Sequence, residues 1–576
     1  MAISSFDSTV ISTESAAQLA RCDELGAGNV LEHALRCSPA PRSPSIWLER
    51  EWRGLTARPV DRFSLDSLST VVDRYASAYH RAGVGPRDVV ALLLAEGIAP
   101  FVHYLALTRL GAIPAPINGG LARDDVVGYL RRLAPRALVA DRTLHGAARR
   151  GIAGTDVLDV EARAPGGVLP EPYPYRHSAG DPVLIAHTSG TTGAPKPVTM
   201  LHGSFLHAVR TRLAASVRPG ERVLSAVPHT HAAGIASFLT STLRGAAKLV
   251  LSDLSAANLV RAVESFRPTT VVAFTGAYAE LASLDLARHD LGSVDQWIAT
   301  ADAAHRRHVV ALLAATARSR RGRPRPVFVD GFGSSELANT VFRRVSTLDD
   351  PAEGRHLGRP AEYARAAVLD AHGRELPAGR VGRLGVMSPT VTAGYWNDSD
   401  LTYRARLAGY WLTGDLAWRD SNGDYYHADR VADAFESAGR LVCTVLLEEL
   451  VLGAVPEVHD AAVFGVPLPD GDVAPAIVVK PAPGRRVPPA DLLSRVNETL
   501  RQRGEPSCRA LLVATRPAHW PLGPTGKVLK RRLREEHREA LRDPERRREL
   551  VRTGRCAFLD DRAAHFDERD GKPPGR

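Results

Sequence analysis

From Ile185 to Lys196 the chain reads Ile-Ala-His-Thr-Ser-Gly-Thr-Thr-Gly-Ala-Pro-Lys, an apolar strand running into a loop of glycines and hydroxyls that a lysine closes. Gly190 and Gly193 let backbone amides turn inward as a concave anion site, and the hydroxyls of Thr188, Ser189, Thr191 and Thr192 add donors. Lys196 adds a mobile positive charge. A polyphosphate is the natural ligand of such a loop; a glycine- and threonine-rich surface turn is the plainer alternative. It is not a Walker A loop, because Pro197 follows the lysine where a Ser or Thr hydroxyl is needed. The lysine carries weight of its own. Among 576 residues there are six lysines against 68 arginines, so a lysine within a motif is there for something arginine cannot do. The same scarcity singles out Lys527, preceded by Gly526 in Pro521-Leu-Gly-Pro-Thr-Gly-Lys; a surface lysine at the start of a basic helix is the bland reading.

These residues need a scaffold. From Arg53 to Ala140, amphipathic helices alternate with short apolar strands: VVALLLAEGI, FVHYLALTRLGA, IPAPI, DDVVGYLRRLAP, RALVAD. The alternation returns at 222–250 and in the strand TTVVAF at 269–274. Such a rhythm predicts parallel sheets flanked by helices. After Arg380 the texture turns to short strands and turns, a β-rich subdomain. From Val431 to Arg534 a separate strand–helix rhythm predicts a small α+β domain. We therefore expect an α/β protein with an N-terminal extension (1–28), a large domain (29–430), a small mobile lid domain (431–534) and a charged tail (535–576), read as a solvated helix running into a loose end.

Composition excludes several classes. No apolar run is long enough to span a bilayer, and the first thirty residues have neither a basic nor an apolar leader segment. Five scattered cysteines without CxxC spacing argue against a disulfide framework or zinc site and fit a cytoplasmic location. The formal charge of +10 comes without a basic stripe interleaved with aromatics, so nucleic acid is not expected as a partner, nor is a membrane.

The loop Thr-Ser-Gly-Thr-Thr-Gly-Ala-Pro-Lys resembles the phosphate-loop signature of the adenylate-forming (AMP-binding) superfamily: acyl-CoA synthetases, peptide-synthetase adenylation domains and luciferases. Three further elements follow in that family's order. Asp330-Gly331-Phe332-Gly333-Ser334-Ser335-Glu336 is similar to its aromatic-Gly-x-Thr-Glu element, Thr413-Gly414-Asp415 to its Thr-Gly-Asp, and Pro521–Lys527 to its C-terminal Gly-Lys; Arg430 stands where its ribose- and phosphate-contacting arginine would. The resemblance spans roughly 29–534. It implies ATP and Mg²⁺ as cofactors. Phe332 would stack on adenine beside Gly331, Gly333 and Ser335, and Asp415 would accept the ribose hydroxyls. Glu336 and Thr188 would hold Mg²⁺. Lys527 would bridge the attacking acid and the α-phosphate, a preorganised charge typically worth ~10²–10³ in rate. His231, in Val227-Pro-His229-Thr-His231-Ala-Ala-Gly234, is similar to the family's histidine near the acid pocket, which His229, Phe274, Gly276 and Tyr278 would help to line.

Three departures from the family pattern stand out. Pro197 replaces a glycine after the loop lysine, and Thr300-Ala-Asp302-Ala-Ala-His305 stands where Gly-Gly-Ala-Pro is common. The hinge segment, Asp429-Arg430-Val-Ala432-Asp433-Ala-Phe435-Glu436, places Ala432 at the hinge position and Glu436 where a lysine is usual. A carboxylate there repels the phosphates of CoA, so the adenylation half-reaction is equipped and the CoA half-reaction is disfavoured. The leading expectation is adenylation of a small-molecule acid followed by transfer to a thiol, on CoA or a carrier protein. The second is activation of nitrite for diazotisation of an aromatic amine in secondary metabolism. A nucleotide-binding pseudoenzyme is the third, opposed by Lys527 and Glu336.

Overall fold

The computed structural model describes residues 9–141, 156–162, 169–188, 194–300, 304–320, 322–350, 355–468, 471–482, 484–485, 487–523 and 527–559. The fold is α/β. Its chain divides into two compact units: a large one (1–413, 417–427 and 523–527) and a small one (414–416, 428–522 and 528–576). No helix among the described residues is long and apolar enough to cross a membrane.

The large unit is built around an eight-stranded sheet. In spatial order its strands are Thr340–Ser346, Val327–Gly333, Gln296–Thr300, Thr270–Phe274, Arg222–Ser225, Ala247–Val250, Pro44–Trp52 and Val60–Ser64. The six inner strands run parallel and the two edges antiparallel. A second sheet of four parallel strands is centred on Val89–Leu93, whose five residues are all buried. Covered on both faces, these strands carry continuous apolar runs rather than alternation. Helices start where the sequence supplies caps: Ser64 accepts the Ser67 amide to begin Leu65–Arg81, which buries Leu68, Val72, Tyr75 and Tyr79 at helical spacing. The β-rich portion is an antiparallel sheet including Arg365–Leu369, Gly382–Met387, Tyr410–Arg419 and Tyr425–Arg430.

In the small unit, Val458–Pro467, Val473–Pro481, Ala510–Val513 and Cys556–Phe558 form one sheet. Thr444–Ala454 and Pro489–Gln502 pack their apolar stripes into its core.

Two segments expected to lie outside the folded body belong to it. Ile11, Ala16, Leu19, Leu25 and Ala27 are buried in the large unit's core, so residues 9–28 are not an appendage. Beyond Arg534, the charged run is two helices, Lys530–Arg542 and Pro544–Arg552, and Cys556–Phe558 then pairs with Ala510–Val513 as an edge strand. Pro544 has no amide to continue the first helix, and Asp543 instead caps the second by accepting the Glu545 amide at 2.9 Å. Leu533, Leu550, Cys556 and Phe558 supply the apolar contacts that composition averaging hides.

Candidate active site

The strand Pro182–His187 forms an antiparallel hairpin with Pro197–Leu201, its last pair being His187 and Pro197. Two bonds close the neck of the connecting loop: the Thr188 amide donates to the Lys196 carbonyl at 3.1 Å, and the Lys196 amide to Thr188 Oγ1 at 3.0 Å. Ser189, Gly190, Thr191, Thr192 and Gly193 lie outside the described residues. Pro197 gives up no needed donor here, being the first residue of its strand. His187 sets the loop's entry. Its Nε2 accepts the Asn118 amide at 3.1 Å, which places the ring proton on Nδ1, 3.0 Å from the Thr188 carbonyl it donates to. Burial lowers the His187 pKa, so the ring stays neutral.

From this neck a chain of contacts reaches the second motif. Lys196 Nζ lies over the Tyr395 ring, 5.5 Å from its centroid, and the Tyr395 hydroxyl donates to Glu336 Oε1 at 2.9 Å. Glu336 sits in the single 3-10 turn Ser335–Leu337, after which Ala338 takes φ +56°. Just before the turn, Ser334 Oγ is buried and unpartnered among the described residues, a donor available to a ligand. Phe332, half-buried at the end of Val327–Gly333, packs edge-on against Phe342 at 5.7 Å and tilted against His427 at 6.2 Å. Its glycine neighbours are needed for close approach: a Cβ on Gly333 would stand 2.6 Å from the Asn339 carbonyl, and one on Gly331 3.0 Å from Thr340. Ser335 is buried.

Asp415 and Arg430 belong to the small unit by contact and meet each other, Arg430 Nη1 donating to Asp415 Oδ1 at 3.1 Å. Asp415 is 5% exposed. The Arg430 amide donates to Asp429 Oδ1 at 2.7 Å, so the arginine is oriented from both ends. The segment that follows turns into a hairpin, Phe435–Ser437 with Arg440–Val442, across Ala438 and Gly439 at φ +48° and +72°, the left-handed pair such a tight turn requires. Glu436 is exposed on it.

The residues expected at the acid pocket cluster around the loop before the helix Ala232–Arg244. His231 caps that helix, its Nδ1 accepting the Ala233 amide at 3.1 Å, and its ring stands edge-on to Phe274 at 5.0 Å. Burial, then the nearby His187 and Lys527, push its pKa down to about 3, so the His231 ring is neutral. Lys527 thus lies within electrostatic reach of His231, inside the segment 523–527 that groups with the large unit. Gly276 occupies the first turn of Thr275–Ala282. Tyr278, in contrast, lines nothing: it is fully buried against Trp297 and Phe328, and its hydroxyl reaches the carbonyls of Val271 and Ile298, both at 3.0 Å. One helical turn past the strand end, its side chain faces back under the sheet. Asp302 lies outside the described residues.

Sequence reasoning passed over one acidic group beside this pocket. Glu96 follows the strand Val89–Leu93; its Oε2 accepts the His229 amide at 2.8 Å and lies 3.1 Å from His229 Nδ1. The His229 ring is buried against Phe101 at 4.9 Å. The signal was present, a carboxylate interrupting the apolar run LLLAEGIAPF, but its partner is 133 residues away.

A hairpin carrying the glycine- and hydroxyl-rich loop sequence, a glutamate in a 3-10 turn behind an aromatic, and a histidine capping a helix are the parts that an adenylate-forming enzyme would use. The chain matches the AMP-binding enzyme family over residues 53–396 and belongs to it; it is an AMP-forming ligase. It is 38% identical to the 3-aminoavenalumate diazotase of a Streptomyces species, over 91% of this chain and 98% of that protein. It is 32% identical to the medium/long-chain-fatty-acid–CoA ligase FadD8 of Mycobacterium tuberculosis, over 77% of this chain and 80% of that one. Among solved structures, the anthranilate CoA ligase AuaEII in complex with anthranoyl-AMP shares the fold, with a TM-score of 0.76 at 20% identity, over 89% of this chain and 98% of that one.

Proposed function

We propose that this enzyme uses ATP to activate nitrite as a nitrosyl adenylate and couples it to an aromatic amine, releasing AMP and forming a diazonium. The observation that carries the reading is the similarity to a diazotase over 91% of this chain and 98% of that protein, well beyond the segment 53–396 that the family match covers. The hinge agrees with it. An exposed Glu436 on the hairpin repels the several phosphate charges of CoA more strongly than the single carboxylate of an amine such as 3-aminoavenalumate. Transfer to a thiol is the second reading, favoured by the FadD8 similarity.

In this reading the loop from Thr188 to Lys196 holds the phosphates, and Phe332 takes adenine between its glycine neighbours. Asp415 and Arg430 bind ribose, and Lys527 neutralises charge as nitrite oxygen attacks the α-phosphorus. Glu336, with its Oε1 anchored by Tyr395, and Thr188 suit Mg²⁺, which takes few protein ligands and keeps phosphate oxygens; the ion would make pyrophosphate the better leaving group. His229, His231, Phe274 and Gly276 form the pocket for the acid and its acceptor. The test is incubation with ATP, MgCl₂, nitrite and 3-aminoavenalumate, reading AMP, pyrophosphate and an azo dye formed with a naphthol. ADP as the main product would overturn adenylation. AMP formed with organic acids and CoA but not with nitrite would replace the amine by the thiol.

A further inference from the structure

Both ends of the loop that closes at Lys196 are held by side chains from elsewhere in the large unit. At the entry, Thr188 has little left uncommitted. Its amide and its hydroxyl oxygen bond across the neck to Lys196, at 3.1 and 3.0 Å. Its carbonyl accepts the Nδ1–H of His187 at 3.0 Å. That nitrogen carries the ring proton because the Asn118 amide, which only donates, occupies Nε2 at 3.1 Å. Among the described residues, the hydroxyl proton and one lone pair are what Thr188 keeps for a ligand.

The groups behind Thr188 are fixed in turn. Asn118 Oδ1 accepts the Gly120 amide at 2.8 Å, and the Ile117 amide bonds to the Leu92 carbonyl in the strand Val89–Leu93. The His187 ring stands edge-on to the buried Tyr129, centroids 5.9 Å apart. Tyr129 lies on the helix Arg123–Leu133, and three residues on, Arg132 Nη2 donates to the Pro195 carbonyl at 2.6 Å. The Arg132 carbonyl accepts Asn397 Nδ2 at 3.2 Å, and the Trp396 amide donates to the Pro197 carbonyl at 2.8 Å. The hairpin is thus braced at Thr188 on one side and at Pro195–Pro197 on the other.

We infer that His187 and Arg132 are positioning residues for ATP: His187 sets the Thr188 hydroxyl, and Arg132 sets the turn that carries Lys196. Hydroxyl and ammonium then meet the triphosphate already in place. The inference rests on reading this hairpin as the phosphate loop. Each side chain acts through the residue it holds, and a binding group works best when the side chains behind it are locked. Histidine suits the entry because its ring accepts on one edge and donates on the other. One buried side chain thereby ties together segments 69 residues apart. An apolar residue there would leave the Asn118 amide buried without a partner and the Thr188 carbonyl unrestrained.

The experiment measures ATP and AMP binding by isothermal titration in MgCl₂, without nitrite, acid or amine, on the full chain and its variants. His187→Phe keeps a ring and loses both bonds. It should weaken ATP ~10-fold and leave AMP within about twofold, because only the triphosphate uses the loop. His187→Asn keeps a donor at the δ position and should recover most of the ATP affinity. His187→Gln keeps an acceptor at the ε position and should recover thermal stability but not ATP affinity. A residue that only packs would not separate the two. Arg132→Met alters an exposed side chain and does not threaten folding; it should weaken ATP about threefold with the same indifference to AMP. If His187→Phe does not fold, the split between Asn and Gln decides in its place. Unchanged ATP affinity in either variant would overturn the role of that residue, as equal recovery by Asn and Gln would for His187. Equal losses for ATP and AMP would overturn both roles. Wild type that binds ATP no tighter than AMP would overturn the phosphate-loop reading itself, before any variant is compared.

Discussion

Replacing Lys530 by methionine should loosen the small unit far more than its position in a highly charged helix suggests. Lys530 is buried, and its Nζ donates to Glu448 Oε1 at 2.7 Å and to Thr444 Oγ1 at 2.6 Å. Glu448 also accepts the Val463 amide at 2.7 Å, and Asp429 accepts both the amide and the hydroxyl of Thr444. The network thus joins the helix Lys530–Arg542, the helix Thr444–Ala454, the strand Val458–Pro467 and the residue preceding Arg430. Burial works against the lysine's charge, but Glu448, Asp429 and Asp433 together hold its pKa above the ordinary value. A raised lysine pKa contributes stability that is complete below the unfolded value and is lost only as pH rises through the folded one. The effect should therefore be flat from acid to mildly alkaline pH.

Methionine fills the volume but leaves the Glu448 carboxylate buried without its cation, a change that costs ~3–5 kcal/mol. At about 1.4 kcal/mol per tenfold, the protection of amides in Thr444–Ala454 and Val458–Pro467 should fall by roughly two to three and a half orders of magnitude. Hydrogen exchange read by mass spectrometry on the full chain measures this peptide by peptide, and peptides of the eight-stranded sheet serve as the internal reference. The double variant Lys530→Met/Glu448→Met removes both charges and should recover most of the loss. A single variant with protection within about threefold of wild type would refute the claim that the buried pair matters.

Lys527→Ala should slow adenylate formation by ~10²-fold or more while ATP affinity changes only a few-fold, because the charge acts mainly in the transition state; calorimetry beside pyrophosphate release checks the split, and equal losses would contradict it. Tyr395→Phe removes the hydroxyl that anchors Glu336, so the Mg²⁺ concentration for half-maximal rate should rise ~10-fold, read from a metal titration. Glu436→Lys should speed any single-turnover transfer to CoA several-fold, since an exposed charge reversal is worth ~0.5–1 kcal/mol, and should leave pyrophosphate release with nitrite unaltered. No gain would mean that Glu436 does not discriminate against CoA.

The motifs that carry the family resemblance were legible in the sequence because each is local. The strand Pro182–His187 and Lys196 lie within fifteen residues of one another, so one hairpin is written in one stretch of chain. The alternating texture between Arg53 and Ala140 foretold the parallel sheet because both periodicities are written in neighbouring side chains. Other features depended on residues far apart in the chain. Tyr278 belongs to the core, because one turn beyond Phe274 the side chain points beneath the sheet. The charged run after Lys530 hides a buried cation and an edge strand, since a few apolar contacts decide packing where average composition says solvent. Glu96 meets His229 across 133 residues of sequence. Whether a carboxyl in an apolar run is ionised or protonated depends on the partner and the dielectric around it, and the tertiary fold alone brings those two loops together.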